Sequence, residues 1–342
     1  MKFGTKLLHT GHEVDRATGA AAVPIYQVSM FDQPGLNTPG PFDYARSGNP
    51  TRQAVEGVLA ELEGGAAGAY AFSSGMAAIT AVLMLFSAGD HLVVTDDCYG
   101  GTYRVLTRVF RRFGIEASFV DSSDPAAVRA ALRPNTRALL VETLSNPFLK
   151  QTDIGQMAAI AGERGLRLIV DNTFLSPYLS QPLKEGADIV IHSATKYLGG
   201  HSDLMAGTVA VKDPDLAQEV YFIQNASGAG LAPQDCFLLM RGIKTLKVRM
   251  DRQVESAAQL AAWLADRPEL RQVYYPGAGA VLSFRLADER WTPAFVDGLT
   301  LPLLGVSLGA VESLVAVPAR HSHASVPAEE RLRRGITDDL IR

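Results

Sequence analysis

The fold is decided by two neighbouring stretches, Arg167-Leu168-Ile169-Val170-Asp171-Asn172-Thr173 and Asp188-Ile189-Val190-Ile191-His192-Ser193-Ala194-Thr195-Lys196. Each begins as an apolar run of strand length and leads to a charged side chain, an acid in the first and an amine in the second. Strands that are apolar on both faces are typical of parallel sheets covered by helices. Because ligands bind at the carboxyl ends of such strands, Asp171 and Lys196 are expected to face one crevice.

The same alternation extends over the middle of the chain, from about residue 56 to residue 211. Apolar strands are predicted at 69–72, 91–94, 116–120, 138–141, 166–170, 188–192 and 208–211. Helical patterns lie between some of them, at 76–85, 102–113, 125–132 and 154–164. This order predicts an α/β domain with a large, mostly parallel sheet and helices on both faces.

Local composition predicts three segments. Residues 1–50 are rich in Gly, Pro, Asn and Thr, and we expect an arm without its own core that lies on the main body or on a neighbouring subunit. Residues 51–230 are the predicted α/β domain. Residues 231–342 combine a long helical stretch, 236–266, with short strands, which predicts a smaller C-terminal α+β domain.

Composition also limits the function. Of the 342 residues, 47% are apolar, and 32 Lys and Arg against 36 Asp and Glu give a formal charge of −4. This balance argues against nucleic acid or an anionic membrane as the partner. The only cysteines are Cys98 and Cys236, which indicates a reducing compartment. Charged residues precede any long apolar block, so we expect no secretory leader and a cytoplasmic location.

Three other classes of site are disfavoured. The uncharged stretch 64–89 could span a bilayer by length, but glycines and serines interrupt it, so a strand, a turn and a helix are predicted instead. His321 and His323 lack thiols or acids at ligand spacing, and we predict no metal site. The sequence contains neither a P-loop nor a strand-linked dinucleotide motif, which argues against nucleotide binding.

An acid and an amine at adjacent strand ends suggest a pyridoxal phosphate site. Lys196 would carry the cofactor as a Schiff base, and Asp171 would keep its ring nitrogen protonated, so that the ring accepts electrons from the substrate α-carbon. Taken alone, Asp171 is also an ordinary turn or helix cap and Lys196 an ordinary surface lysine. Their occurrence together, in order and at strand ends, favours the cofactor.

A phosphate group requires a cradle, and the sequence offers one. Ser73-Ser74-Gly75-Met76 follows a predicted strand and opens an apolar helix, where main-chain N–H groups favour an anion. An ordinary helix cap is the alternative for these serines. Ser193 and Thr195 would add hydroxyl donors to the cradle. Tyr99, just past the strand at 91–94, is a candidate to stack on the ring.

Several motifs occur together, and they extend over nearly the whole chain: Tyr44-Ala45-Arg46-Ser47-Gly48-Asn49-Pro50-Thr51-Arg52, Ser73 to Ala78, Tyr99-Gly100-Gly101-Thr102, Asp171-Asn172-Thr173, Ser193-Ala194-Thr195-Lys196-Tyr197 and Arg241-Gly242-Ile243-Lys244-Thr245-Leu246. This combination closely resembles the Cys/Met-metabolism family of pyridoxal phosphate enzymes, most of all the cystathionine γ-lyases. The resemblance implies the transferase-like fold of type I, with a large domain and a smaller C-terminal one.

The resemblance also implies a role for each matching residue. The catalytic residues would be Lys196, Tyr99 and Asp171. Cofactor binding would involve Lys196, Asp171, Gly75, Met76, Ser193, Thr195, Tyr99, Asn146, Tyr44 and Arg46. Substrate binding would involve Ser307, Arg342, Asn146, Tyr99 and Arg104. Tyr44 and Arg46 would reach the phosphate of a neighbouring subunit, which implies the homotetramer usual in the family, a dimer of dimers.

The sequence departs from the family in two places. Family members have roughly twenty further residues, a loop longer than most, after the position of Gly277. They also continue past the position of Arg342 through a strand and a final helix. We therefore expect the C-terminal domain to be incomplete.

Residues that the resemblance places near the substrate help to distinguish the reactions of the family. Asp43 and the Tyr99-Gly100-Gly101-Thr102 segment resemble cystathionine γ-lyases, whereas methionine γ-lyases typically have a cysteine where Gly101 stands. Val306 stands where dedicated γ-lyases often have a glutamate. The resemblance thus implies γ-elimination on cystathionine or homocysteine, giving cysteine or sulfide, 2-oxobutanoate and ammonia.

Other activities remain open from the sequence. Cystathionine γ-synthase, which adds cysteine to an O-acylhomoserine with the same residues, is the leading alternative, and methionine γ-lyase is another. A catalytically silent scaffold that only retains the cofactor is disfavoured, because Lys196, Tyr99 and Asp171 are all present.

Overall fold

A computed structural model of the chain describes residues 1–11, 14–324 and 326–342. It contains two compact units, Met1–Leu85 with Ser176–Lys247 and Phe86–Leu175 with Val248–Arg342. The strands are β1 (Gly68–Phe72), β2 (His91–Thr95), β3 (Glu116–Val120), β4 (Thr136–Glu142), β5 (Arg167–Asp171), β6 (Ile189–His192), β7 (Gly207–Val211), β8 (Leu270–Tyr274), β9 (Ser283–Leu286), β10 (Leu303–Leu304), β11 (Leu314–Val315) and β12 (Leu340–Ile341).

The α-helices are α1 (Phe3–His9), α2 (Pro50–Leu62), α3 (Gly75–Leu83), α4 (Gly100–Arg108), α5 (Pro125–Ala130), α6 (Ile154–Arg164), α7 (Ser176–Leu179), α8 (Pro182–Glu185), α9 (Pro214–Ser227), α10 (Pro233–Lys244), α11 (Leu246–Ala265), α12 (Thr292–Asp297) and α13 (Ala328–Arg333). Two 3-10 helices lie at Phe110–Phe113 and Glu289–Trp291.

In the first unit, β7 pairs antiparallel with β1 and with β6. Every residue of β6 and β7 is buried, which explains why both strands are mostly apolar, with His192 and Thr208 as the polar exceptions. Helix α2 packs against β1, and α3 packs against β6 and β7. Asn49 begins α2 because its side chain accepts the N–H groups of Thr51 and Arg52 while Pro50 starts the helix.

In the second unit, four strands form a parallel sheet in the order β5-β4-β2-β3. The register between β4 and β5 runs from Ala138 opposite Arg167 to Glu142 opposite Asp171. The carboxyl ends of these parallel strands meet at one edge, so residues just after β2, β4 and β5 are neighbours there. Of the candidate site residues, Tyr99 and Asn146 come shortly after β2 and β4, and Asp171 ends β5, so these three belong to this edge.

The second unit also holds a small antiparallel sheet in the order β12-β9-β8. Its apolar face shares a core with α11, through Leu282, Phe284 and Ile341 on one side and Ala261 and Leu264 on the other. A sheet of this kind with helices is the α+β arrangement expected for the C-terminal part of the chain.

The predicted strands of the α/β region are confirmed. All seven occur, and each predicted end lies within two residues of the observed one. The uncharged stretch 64–89 contains β1 and α3 separated by a turn, as predicted. No helix of the described residues combines the length and the apolar character that crossing a bilayer requires.

The helical stretch predicted at 236–266 is divided into two helices, because Thr245 separates α10 from α11. Both the main-chain N–H and the hydroxyl of Thr245 donate to the carbonyl of Gly242, each at 3.1 Å. A local bond of this kind competes with continued helical pairing. A Cβ on Gly242 would lie 2.7 Å from the carbonyl oxygen of Leu198, so α10 needs glycine there to pack against this main chain.

Candidate active site

The predicted phosphate cradle lies in the first unit, where β1 leads into α3. The Ser74 hydroxyl accepts the N–H of Ala77 at 3.1 Å and so begins the helix. A Cβ on Gly75 would lie 2.9 Å from both Cβ and Oγ of Ser193, closer than real Cβ contacts. The fold therefore brings Gly75 and Ser193 together, and glycine is the residue that allows it.

The cradle fits an anionic group. The first turn of α3 carries no acidic side chain, and its main-chain N–H groups give that end a partial positive charge. Met76 lies in this first turn, partly buried. Thr195 is held in place because its hydroxyl accepts the N–H of Ala206 at 2.9 Å and lies 3.2 Å from the Ala206 carbonyl. Hydroxyl groups and the main-chain N–H groups of a helix N-terminus can donate hydrogen bonds to a phosphate, and small residues leave room for it.

Lys196 follows this cradle in the turn after β6. Its N–H donates to the carbonyl of Ser193 at 3.0 Å, and its own carbonyl accepts the N–H of Gly200 at 2.7 Å. The strand end before it is anchored by a buried pair, in which His192 Nε2 and Glu63 Oε1 lie 2.5 Å apart. Sequence reasoning did not assign a role to either member of this pair.

Asp171 ends β5 in the second unit and is partly buried. Its Oδ1 accepts the N–H of Thr173 at 3.0 Å and the Thr173 hydroxyl at 2.5 Å. Two donors on one carboxylate oxygen stabilise the ionised form. Asp171 belongs to the second unit, and Lys196 belongs to the first.

Tyr99 lies just before α4, with its side chain 40% exposed. Its main-chain N–H donates to Oε1 of the buried Glu142 at 2.7 Å. The next residue, Gly100, packs so closely that a Cβ there would lie 2.6 Å from the carbonyl oxygen of Ser322. Arg104 lies on the exposed side of α4. Glu142 was missed by sequence reasoning, although its position directly after the predicted strand 138–141 was a signal.

The predicted substrate residues Arg342, Asn146 and Ser307 are brought together in the second unit. Arg342 Nη1 donates to Asn146 Oδ1 at 3.2 Å, and Nη2 donates to the Ser307 carbonyl at 3.1 Å. The main chain of Arg342 exchanges two hydrogen bonds of 2.9 Å with Ala316. A buried guanidinium fixed at both of its terminal nitrogens is an oriented binding group for a carboxylate.

His323 is buried beside this arginine group, and sequence reasoning missed it. Its Nδ1 lies 2.9 Å from the Ser322 hydroxyl. Burial, followed by the nearby charges of Arg342 and Arg334, lowers the pKa of His323 to about 4. The ring is therefore neutral at neutral pH, and it adds no positive charge next to Arg342.

The buried His323 predicts acid sensitivity. Its folded pKa lies below the value of about 6.5 for an unfolded histidine, so its stabilising contribution is complete above pH 6.5 and is lost as pH falls toward 4. The loss amounts to about 3 kcal/mol. Thermal unfolding of the holoenzyme should show a smaller fall in Tm over this range in His323→Gln, whose side chain does not titrate.

The control for this experiment is His9→Gln, because His9 is an exposed histidine on α1, whereas His323 is buried. Its Tm should follow the parent curve. Equal slopes for His323→Gln and the parent between about pH 6.5 and pH 4 would contradict the assignment.

Tyr44 and Arg46 lie together in the arm of the first unit. Arg46 Nη1 donates to the carbonyl of Asn225 at 2.8 Å and to its side-chain oxygen at 2.9 Å. The guanidinium lies 5.6 Å from the centre of the Tyr44 ring, and both side chains are exposed. Nearby in the arm, Leu36 is fully exposed and Met30 is 65% exposed, which is unusual for apolar side chains.

Comparison with known proteins agrees with this architecture. A cystathionine gamma-lyase of Bacillus subtilis is 52% identical over all of this chain and 94% of the relative, and a cystathionine beta-lyase MetC of the same organism is 48% identical over 99% and 90%. The crystal structure of cystathionine gamma-lyase from Lactobacillus plantarum with L-serine superposes with a TM-score of 0.97 at 44% identity, covering 100% of this chain and 93% of that one.

The structural match confirms the predicted fold class, a large, mostly parallel sheet with helices and a smaller sheet region. The family model for Cys/Met metabolism PLP-dependent enzymes matches residues 4–342. Pyridoxal 5'-phosphate is the cofactor of this family, and the cradle around Gly75 fits its phosphate group. The chain therefore belongs to the Cys/Met metabolism PLP-dependent enzymes, the trans-sulfuration enzymes.

Proposed function

We propose that the enzyme catalyses γ-elimination on L-cystathionine, and on homocysteine, which consumes one water and releases cysteine or sulfide together with 2-oxobutanoate and ammonia. The observation that carries the assignment of an amino-acid substrate is the fixed, buried guanidinium of Arg342 between Asn146 and Ser307, and the similarity to a cystathionine gamma-lyase supports γ-elimination. The guanidinium is suited to bind the α-carboxylate of an amino acid, because two parallel N–H donors match the two carboxylate oxygens.

Each proton transfer in the proposed reaction is assigned to one of three side chains. Bound pyridoxal phosphate supplies an acceptor for the electron pair released at the substrate α-carbon. Lys196 would bind the cofactor and, once its amine is free, take the α-proton at Nζ. It would then give that proton up to the former aldehyde carbon of the cofactor, which restores the neutral amine, and take a β-proton. The Tyr99 hydroxyl would donate a proton to the departing γ-sulfur, and the Asp171 carboxylate would hold a proton at the ring nitrogen.

The remaining cofactor contacts follow from the cradle. Main-chain N–H groups at Gly75 and Met76 and the hydroxyls of Ser193 and Thr195 would bind the phosphate. Asn146 would lie at the ring hydroxyl, next to the guanidinium that it orients, and Arg104 would assist in substrate binding. The tight packing of Gly75 on Ser193 supports the cradle, because it leaves no room for a side chain at the helix start.

We also propose that residues 1–50 form an arm against a neighbouring subunit, within a homotetramer built from two dimers. Tyr44 and Arg46 would reach the neighbour's phosphate. The exposed apolar side chains Met30 and Leu36 support this, since a partner would cover them. The residue ranges 51–230 and 231–342 would be the cofactor-binding and C-terminal domains. A cytoplasmic location is supported by two buried, free cysteines.

Several features bear on the choice among the candidate reactions. The similarity to a cystathionine gamma-lyase and the Gly100-Gly101 pair after Tyr99 support γ-elimination. Val306, where γ-lyases often have glutamate, is exposed and apolar, and it favours cystathionine γ-synthase as the second candidate. Methionine γ-lyase is third, because Gly101 stands where that activity typically uses cysteine.

The test is a product assay with the holoenzyme. We expect L-cystathionine to give 2-oxobutanoate and cysteine in equal amounts, and homocysteine to give 2-oxobutanoate and sulfide. Parallel reactions contain methionine, or O-succinylhomoserine plus cysteine, and keto acids and thioethers are quantified by mass spectrometry.

Each other outcome assigns a different activity. Pyruvate with homocysteine from cystathionine identifies β-elimination, and cystathionine formed from O-succinylhomoserine and cysteine without keto acid identifies γ-replacement. Rapid release of methanethiol from methionine identifies the methionine lyase. A yellow protein that turns over none of these substrates would indicate a scaffold and contradict the proposal.

A further inference from the structure

A carboxyl group outside the predicted site contacts Tyr99 and lies beside Asp171. Glu142 is the last residue of β4 and is opposite Asp171, the last residue of β5, in the parallel register. Paired residues of neighbouring strands direct their side chains to the same face of a sheet. Glu142 is 5% exposed, and Asp171 is partly buried. Two carboxyl groups, one buried and one partly buried, therefore lie side by side at the ends of β4 and β5.

Glu142 also fixes the residue that precedes α4. Its Oε1 accepts the main-chain N–H of Tyr99 at 2.7 Å, while the close packing of Gly100 on Ser322 fixes the chain one residue further along. The side chain of Tyr99 makes no cap hydrogen bond to α4. The carboxyl group of Glu142 is thus a direct support for the main chain that carries the Tyr99 ring.

Two ionised carboxylates at this edge would repel each other. Their surroundings favour a proton on Glu142 and a negative charge on Asp171. Burial raises the pKa of Glu142 well above its ordinary value, and the charges of Asp171 and Asp97 raise it further, against a lowering by the Tyr99 N–H. Asp171, in contrast, accepts two hydrogen bonds from Thr173 that stabilise its ionised form. Placed side by side in this way, the two carboxyl groups favour a state with one negative charge and one proton between them.

We propose that Glu142 is a positioning residue that is protonated in the working enzyme: its neutral carboxyl group holds Tyr99 through the main-chain N–H and leaves the single negative charge on Asp171. The proposal rests on the roles assigned above to Tyr99 and Asp171. Asp97 and the buried thiol of Cys98 also interact electrostatically with Glu142. The positive charge that acts on this thiol is that of Arg334, which is not among the groups that act on Glu142.

Infrared spectroscopy of the holoenzyme without substrate tests the protonation directly. The parent should show the carbonyl band of a protonated carboxyl group at neutral pH, and Glu142→Gln should lack it. Asp97→Asn is the matched control. Asp97 is a buried neighbour whose pKa is raised only to about 6, mainly by burial, so removing it should leave the band in place slightly above neutral pH.

Kinetics test the positioning. Glu142→Gln should keep kcat within about threefold of the parent, because a neutral amide oxygen can still accept the Tyr99 N–H. Glu142→Ala removes the acceptor and should lower kcat by about tenfold to a hundredfold. The yellow absorbance of both variants should match the parent, because neither change alters Lys196.

The outcomes of the infrared and kinetic tests can be told apart from a failure of the proposed γ-elimination. A difference spectrum of parent and Glu142→Gln without a protonated-carboxyl band would overturn the assigned protonation. Equal losses in Glu142→Gln and Glu142→Ala would overturn it as well, and a fully active Glu142→Ala would overturn the positioning role. If no amino acid is turned over, the reaction assignment fails, while the infrared result still decides the state of Glu142.

Discussion

Replacing Lys196 with alanine should abolish turnover, lowering kcat by roughly 10³-fold to 10⁴-fold, because the chain loses the amine proposed to accept the α-proton. The variant should also lose the yellow absorbance of the bound cofactor, since the proposed covalent attachment is gone. It should remain folded, because the hydrogen bonds of residue 196 to Ser193 and Gly200 use main-chain atoms only. Visible absorbance, 2-oxobutanoate release and circular dichroism measure the three effects.

The matched control is Lys212→Ala. Lys212 is an exposed lysine that directly follows β7 in the same unit, so its removal changes the charge of the chain equally without touching the turn after β6. This control should keep both colour and turnover. A Lys196→Ala protein that remains yellow and active would show that another amine binds the cofactor.

Replacing Asp171 with asparagine should lower kcat by roughly 10²-fold to 10³-fold. Asparagine has nearly the same shape and can still accept the N–H of Thr173, so the change isolates the negative charge. A charge pair about 4 Å apart near the protein surface contributes about 4 kcal/mol, and each 1.4 kcal/mol is tenfold in rate. Steady-state kinetics with cystathionine measure the loss, and the yellow absorbance should persist, unlike that of Lys196→Ala.

Asp124→Asn is the corresponding control. Asp124 also accepts the N–H two residues ahead, that of Ala126 at 2.9 Å, but it is exposed at the start of α5. Asparagine caps helices as well as aspartate does, so parent kinetics are expected. If Asp171→Asn retained the parent kcat, its carboxylate would have no part in activating the cofactor ring.

The strands were predictable because their residues are locally distinctive. The central residues of β5 and the first three of β6 are buried and apolar, and the polar residues Asp171 and His192 mark the strand ends. The break between α10 and α11 was not predictable from periodicity, because apolar spacing continues through Thr245. Only its hydrogen bonds to Gly242 interrupt the helix.

The candidate site was predictable where motifs are contiguous. Lys196 and the cradle residues follow strands directly, and their chemistry points to a cofactor. Glu142 and His323 were missed because single acids and histidines are common in any sequence. Their importance depends on burial beside Asp171 in one case and beside Arg342 in the other.

The amino-acid sequence alone determined the order of strands and helices, the cofactor and the family, since these depend on local periodicity and on short motifs. Only the tertiary structure decided which side chains, distant in the sequence, contact and support the site residues. Arg342 binds Asn146 across 196 positions of the chain, and Glu142 binds Tyr99 across 43. Contacts of that range arise from packing and desolvation in the folded chain, for which no local pattern of residues gives a signal.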